Sequence, residues 1–233
     1  DKSAYSSRAA VYWPVCEVIP MKNKYLLPLC GLLLACSPSH SQIYSTSQSP
    51  YSREIRQHYD QLNYVIHSTL AGVYANPSEA RAARYMVWVE VPVWRLRQGH
   101  KYPGRAKFQV FSMLANEARQ IFEEIFQGPE RFPIHTVIGF QWRPGNPRSF
   151  HNYGLAIDIN PDENPQLSPE GQVLVGRQWA PGANPFSIRP DGDVVNAFRR
   201  RGWIWGAQFR RPDFMHFGFY EMQTKIPFAR GSR

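Results

Sequence analysis

Two short segments of the chain combine residue types and spacings that suit metal-assisted hydrolysis. The first reads Ser149-Phe-His151-Asn-Tyr-Gly154-Leu-Ala156-Ile-Asp158. Taken as a turn entering a strand, its side chains alternate, so that Leu155, Ile157 and Ile159 share a core face while Gly154, Ala156 and Asp158 share the other. One carboxylate beside two very small residues leaves an open floor of the kind a metal site requires. The second segment, Asp213-Phe-Met-His216-Phe-Gly218-Phe-Tyr220, follows the same rule. Met215, Phe217 and Phe219 alternate with His216, Gly218 and Tyr220, and Asp213 stands in the turn that enters the strand. If the two strands are neighbours, His151, Asp158 and His216 converge. Two imidazoles, one carboxylate and a water suit a catalytic zinc, which keeps one position open. A carboxylate nearby, such as Asp213, would take a proton from that water and pass it to a leaving amine.

Blander assignments compete with each of these residues. A single histidine is more often a satisfied core or surface residue than a ligand, and an Asp after Pro212 also suits a turn or cap. The metal reading draws its weight from two separate segments, each placing small residues beside the polar one.

The elements that must position these groups are partly legible. A helix is expected from Ser52, with Ile55, Tyr59, Leu62, Ile66 and Leu70 at helical spacing and Gly72 as its stop. Asn76-Pro77-Ser78 marks a second helix start. Val87, Val89, Val91 and Val93 alternate within residues 85–96, predicting a strand that Pro92 pushes toward an edge. A long helix is predicted from Lys107 to Gln127, with Phe111, Leu114, Ala118, Ile121, Phe122 and Ile125 as its stripe and Gly128-Pro129 as its stop. Residues 134–142, 154–159 and 214–220 read as strands. Asp191 or Asp193 is expected to cap a short helix bearing Val194, Ala197 and Phe198, closed by Gly202. The Pro-rich stretch 160–190 gives no secondary-structure signal. Helices first and mixed strands later predict one α+β domain.

Composition bounds the rest. Of the 233 residues, 43% are hydrophobic and 14% aromatic, enough for a packed core, and the formal charge is +9. Such a balance favours anionic partners, but no basic block with interleaved aromatics and no helix-turn-helix or zinc-finger spacing points to nucleic acid. The three cysteines, Cys16, Cys30 and Cys36, all precede the body, which excludes a disulfide framework or a thiolate zinc site there. From Met21 the chain has a Lys22/Lys24 start, an apolar run from Tyr25 and the ending Leu33-Leu34-Ala35-Cys36. This resembles a bacterial lipoprotein signal with Cys36 as the acylated residue, and the following Ser37 suits transfer to an outer membrane; an ordinary secretory signal cut near Ser41 is the alternative. The expected organisation is an upstream or non-native segment at 1–20, a signal at 21–36, a Ser-rich flexible tether at 37–50 and a catalytic domain at 51–233 with its core at 105–220.

Ser-x-His-x-x-Gly-x-Ala-x-Asp at 149–158, followed far downstream by Asp213-x-x-His216, resembles the VanY/D-alanyl-D-alanine carboxypeptidase and L-alanyl-D-glutamate endopeptidase family of zinc peptidases. Gly202-Trp203-Ile204-Trp205-Gly206 adds to the likeness, which runs over roughly residues 105–220. The resemblance implies the Hedgehog/D,D-peptidase α+β fold with a small antiparallel sheet, zinc on His151, Asp158 and His216, and Asp213 as acid/base. It implies an oxyanion-stabilising arginine ahead of the first motif, for which Arg143 is preferred over Arg148, and substrate contacts from Ser149 and Trp205. The loop from Arg143 to Arg148 looks shorter than usual for the family, and Ala207 and Phe209 stand where it often has Gly and Trp.

The expected function is therefore a zinc peptidase acting on peptidoglycan stem peptides as a monomer, held at the cell envelope by lipid on Cys36. L-Alanyl-D-glutamate endopeptidase activity is placed slightly ahead of D-alanyl-D-alanine carboxypeptidase activity, by analogy with the Asp-x-x-His ending and its Trp-rich lead-in. A non-catalytic wall-binding protein on the same fold, which would have lost a ligand or the base, and a zinc hydrolase of some other amide are the rival classes.

Overall fold

The computed structural model describes residues 53–221. The first helix, α1, spans Arg53–Ala75 and buries Tyr59, Ile66, Leu70, Val73 and Tyr74 along one side. Gly72 does not end it. No atom stands near the place a Gly72 side chain would occupy, so the glycine lies on an open face, while Val73 and Tyr74 beyond it bury apolar surface that keeps the last turn helical. Ser52, expected as the cap, lies outside the described residues. Ser78 caps α2 (Glu79–Ala83) as expected, accepting from the Arg81 N–H.

Strand β1 (Met86–Arg97) turns through Gln98 and Gly99, both at positive φ, into β2 (His100–Phe111). Two successive left-handed residues are what a tight hairpin needs to match strand twist. Lys107–Phe111 therefore belongs to a strand, and α3 starts only at Ala115, running to Gln127. The stretch Lys107-Phe-Gln-Val has period two, and it pairs Phe108 with Val89 and Ala106 with Val91. A half-buried β1 needs a partner strand, and that requirement outweighs the helical spacing of Phe111 with Leu114. Pro92 is tolerated because β1 pairs on one side only.

The central sheet has the order β3-β4-β8-β7, with β3 at Val137–Ile138, β4 at Ala156–Ile159, β7 at Trp203–Trp205 and β8 at His216–Phe219. All its pairings are antiparallel. The expected strand over 134–142 shrinks to the two residues of β3, because Gly139 and Phe140 turn their main chain to other partners. Strand β7 was not foreseen as a strand. The unreadable stretch 160–190 holds the small hairpin of β5 (Gln166–Leu167) and β6 (Val173–Val175). Helix α4 (Asp193–Arg199) is preceded by Gly192, which provides no side-chain cap. Neither Asp191 nor Asp193 caps it: Asp191 pairs with Arg189, and the Asp193 carboxylate accepts from the Glu130 N–H.

One chain of aromatic rings links these layers. Phe108 of β2 meets Phe122 of α3, Phe122 meets Phe198 of α4, and Phe198 stacks on Phe217 of β8 at 4.1 Å. Tyr74 of α1 packs edge-on against Tyr153, whose hydroxyl donates to the Pro147 carbonyl, and Tyr59 of α1 meets Phe219 of β8. Such ring pairs are worth more than their buried area alone. Among the described residues no helix is long and apolar enough to cross a membrane.

Candidate metal centre

The register of β4 against β8 places Asp158 directly opposite His216, with Ala156 opposite Gly218. His151 arrives from a single 3₁₀ turn, Phe150–Tyr153, just ahead of β4. That turn is stopped by Gly154 at φ +64, where a side chain would run into the Phe111 amide and the Met86 sulfur. The Gly154 carbonyl in turn accepts from the Phe111 N–H. Gly154 is small because the β1–β2 hairpin presses on it. It does not form an open floor as the strand reading expected: the Asp158 face is as buried as the core face, with His151 at 0%, Asp158 at 4% and His216 at 7% exposure.

Three atoms meet there. His151 Nε2 lies 3.1 Å from Asp158 Oδ1 and 3.2 Å from His216 Nδ1, and His216 Nδ1 lies 3.0 Å from Asp158 Oδ1. Ligands about 2.1 Å from a tetrahedral zinc stand roughly 3.4 Å from one another, so this near-equilateral triangle is close to one face of such a site. The far nitrogens fix which lone pairs point inward. His151 Nδ1–H donates to the Gly139 carbonyl at 2.7 Å, and His216 Nε2–H donates to Glu221 Oε2 at 2.6 Å. Each ring therefore offers its other nitrogen to the triangle. Two imidazole lone pairs and a carboxylate oxygen aimed at one buried point fit a metal cation.

The electrostatics agree with a cation-demanding site. Burial alone would raise the Asp158 pKa, yet the imidazoles of His151 and His216 beside it hold it well below the usual carboxylate range. Burial would lower that of His216, but the carboxylates of Glu221 and Asp158 hold it well above the ordinary imidazole value.

Asp213 stands at the entry to β8. Its Oδ2 accepts from Gln166 Nε2 at 2.8 Å, and its Oδ1 is buried without a hydrogen-bond partner among the described residues. Burial pushes its pKa up to about 6, with the charge of Asp158 adding to the rise and His216 partly opposing it. Gly206 admits Asp213 to this position: a side chain there would lie 2.6 Å from the Asp213 carbonyl oxygen, and the Gly206 carbonyl accepts from the Asp213 N–H.

Arg143 reaches the centre, its Nη2 lying 3.5 Å from Asp158 Oδ2 while Nε and Nη2 also face Gln141 Oε1. Arg148 is exposed on the same loop. Ser149 is buried at the start of the 3₁₀ turn and makes no cap with its side chain. Trp205 is 3% exposed and spends its N–H on the Phe214 carbonyl. It bears on the site as packing behind Phe214, which Trp179 also stacks against, and not as an open contact.

Three participants were not singled out from sequence. Asn152 accepts from the Arg143 N–H and donates to the Arg143 and Asn146 carbonyls, clamping the loop that carries Arg143. Gln166 holds Asp213, and Glu221 holds His216. Only Asn152 had a local signal, as an amide inside the first motif. The other two come from segments whose fold the sequence did not disclose.

No curated protein and no solved structure matches the chain. A family model does, that of D-alanyl-D-alanine carboxypeptidase, over residues 143–219. The match opens at Arg143 and closes at the end of β8, enclosing the whole triangle and Asp213. Residues 143–219 thus match the D-alanyl-D-alanine carboxypeptidase family model and fold around a buried His-Asp-His group that could hold a metal ion.

Proposed function

We propose that the protein is a zinc peptidase that trims D-alanine from peptidoglycan stem peptides. The observation that carries the reading is the triangle of His151, Asp158 and His216 lying inside the segment that matches the D-alanyl-D-alanine carboxypeptidase model. This reverses the order expected from sequence, where L-alanyl-D-glutamate endopeptidase activity stood slightly ahead. A centre this deeply buried also favours a chain end over a long segment running through.

In this reading His151 Nε2, Asp158 Oδ1 and His216 Nδ1 would hold the zinc. A zinc bound there would polarise the scissile carbonyl and acidify a water. Asp213, tuned to about 6, accepts the proton of the attacking water and returns it to the leaving amine. Its unpartnered Oδ1 is the oxygen available for that transfer, since Gln166 engages the other. Arg143, whose side chain is 38% exposed beside Asp158, faces the developing oxyanion. Asn152 keeps the Arg143 loop in place. A non-catalytic wall-binding role is disfavoured because neither a ligand nor the base has been lost.

Digestion of purified peptidoglycan, with fragments identified by mass, tests the reading. Free D-alanine released from pentapeptide stems, and abolished by a chelator, is the expected result. Fragments cut between L-alanine and D-glutamate would restore the endopeptidase assignment, and undiminished release in the metal-free protein would remove the zinc mechanism.

A further inference from the structure

The two nitrogens of His216 face opposite ways. Nδ1 belongs to the triangle, whereas Nε2 points at Glu221 Oε2, 2.6 Å away. Glu221 reaches it by an unusual path. At Tyr220, just past β8, the backbone takes a φ of +52, and its N–H donates to the Gly202 carbonyl. This left-handed residue reverses the chain and returns Glu221 along the strand it has just left. The space it occupies is made by Gly218, where a side chain would collide with the Glu221 carboxylate. The small residue beside His216, expected from sequence to leave an open floor, instead admits a second carboxylate.

The pairing has a consequence for the centre. His151 donates its outer N–H to a neutral carbonyl, that of Gly139, but His216 donates to an anion whose side chain is 22% exposed. A charge-assisted bond of this kind is shorter and stronger than a neutral one. It fixes the tautomer that leaves Nδ1 unprotonated and makes that nitrogen a better donor. Together Asp158 and Glu221 also carry the two negative charges that balance a divalent cation in a buried place.

We propose that Glu221 is a positioning residue of the metal centre, orienting His216 and strengthening its bond to zinc through the space that Gly218 leaves. The proposal rests on the zinc reading of the triangle given above. If Glu221 merely tied down the chain after β8, removing it would lower the stability of the metal-free protein and leave zinc affinity alone.

Four full-length proteins separate these cases: wild type, Glu221→Ala, Glu221→Gln and Gly218→Ala. Zinc affinity is measured by competition with a chromophoric chelator, and the metal-free proteins are compared by thermal unfolding. Glu221→Ala is expected to bind zinc about 10–100-fold more weakly, the usual cost of losing such an outer partner, with the metal-free melting temperature little changed. Glu221→Gln still accepts the Nε2–H through its amide oxygen and should recover part of the loss. Gly218→Ala keeps the glutamate but displaces it, and should weaken zinc binding as Glu221→Ala does. Should Glu221→Ala melt early, Glu221→Gln decides the matter, because zinc binding weaker than wild type in a stable protein still requires the charge. Equal zinc affinity in wild type and both Glu221 variants overturns the proposal. A wild type that binds no zinc overturns the reading of the centre itself, and the two failures are distinguishable.

Discussion

Asp213 is raised to about 6 by its burial, and stability and catalysis ask opposite things of it. In the metal-free protein a carboxyl whose folded pKa exceeds its unfolded value of 3.8 holds its proton more tightly when folded. Its contribution is therefore most favourable below that value and is lost as pH rises to about 6. Above pH 6 the buried, half-satisfied carboxylate costs on the order of 1–3 kcal/mol. Asp213→Asn keeps the Gln166 bond and removes the charge. The metal-free variant should then unfold at higher denaturant than wild type at pH 8, with the gain gone by about pH 4. The zinc-loaded variant should retain its metal yet lose on the order of 10²–10⁴ in rate. Near-normal turnover with zinc present would make Asp213 a turn residue, and lost zinc would make it a support of the centre. Strand alternation, a local property, made Asp158 and His216 legible in the sequence, whereas His151 and Asp213 stand in the turns that enter the two strands. The sequence did not disclose Gln166 or Glu221, whose partners lie across β-pairings and a left-handed turn that no local pattern specifies.

The strands and turns show where such local reading stops. Residues 107–114 satisfy a helical stripe and an alternating strand at once, and only the demand of β1 for a partner decides between them. Strand β7 and the β5–β6 hairpin are two or three residues long, too short for any periodicity to emerge. Glycines divide in the same way. Gly72 and Gly154 look alike in the sequence, but one faces open space on α1 and the other sits at φ +64 against the main chain of Phe111. Opposite outcomes follow for the same substitution. Gly72→Ala should raise stability by about 0.5–1 kcal/mol, the helix gain of Ala over Gly. Gly154→Ala should lower it by roughly 2–4 kcal/mol, combining left-handed backbone strain with overpacking, and should weaken zinc binding by moving His151. Denaturant midpoints of the two variants check both signs, and a neutral Gly154→Ala would mean that the hairpin does not press on the turn.

Taken whole, the molecule separates its chemistry from its proposed anchorage. Every group assigned to the centre, from Arg143 to Glu221, lies within the described residues 53–221, in a domain whose aromatic core spans the hairpin, α3, α4 and the central sheet. Cys16, Cys30 and Cys36 all precede it, so the described residues contain no thiol. Cys36 follows Leu33-Leu34-Ala35 after a Lys-containing start, and the proposal that it is acylated places the enzyme at a membrane facing the wall, where a formal charge of +9 suits anionic surfaces. Lipid and charge are separable contributions. Stable anchoring takes two chains or one chain with a basic patch, whereas charge alone is screened over about 10 Å at 0.1 M salt. Cys36→Ser should therefore move the protein from the membrane fraction to the soluble fraction of the envelope even at low salt, with D-alanine release per molecule unchanged. Wild type that washes off membranes with salt alone would leave charge as the attachment, and wild type found soluble without salt would make the sequence from Met21 an ordinary secretory signal. Lost activity in soluble Cys36→Ser would contradict the separation itself, since it would show that the segment before Arg53 contributes to the catalytic domain.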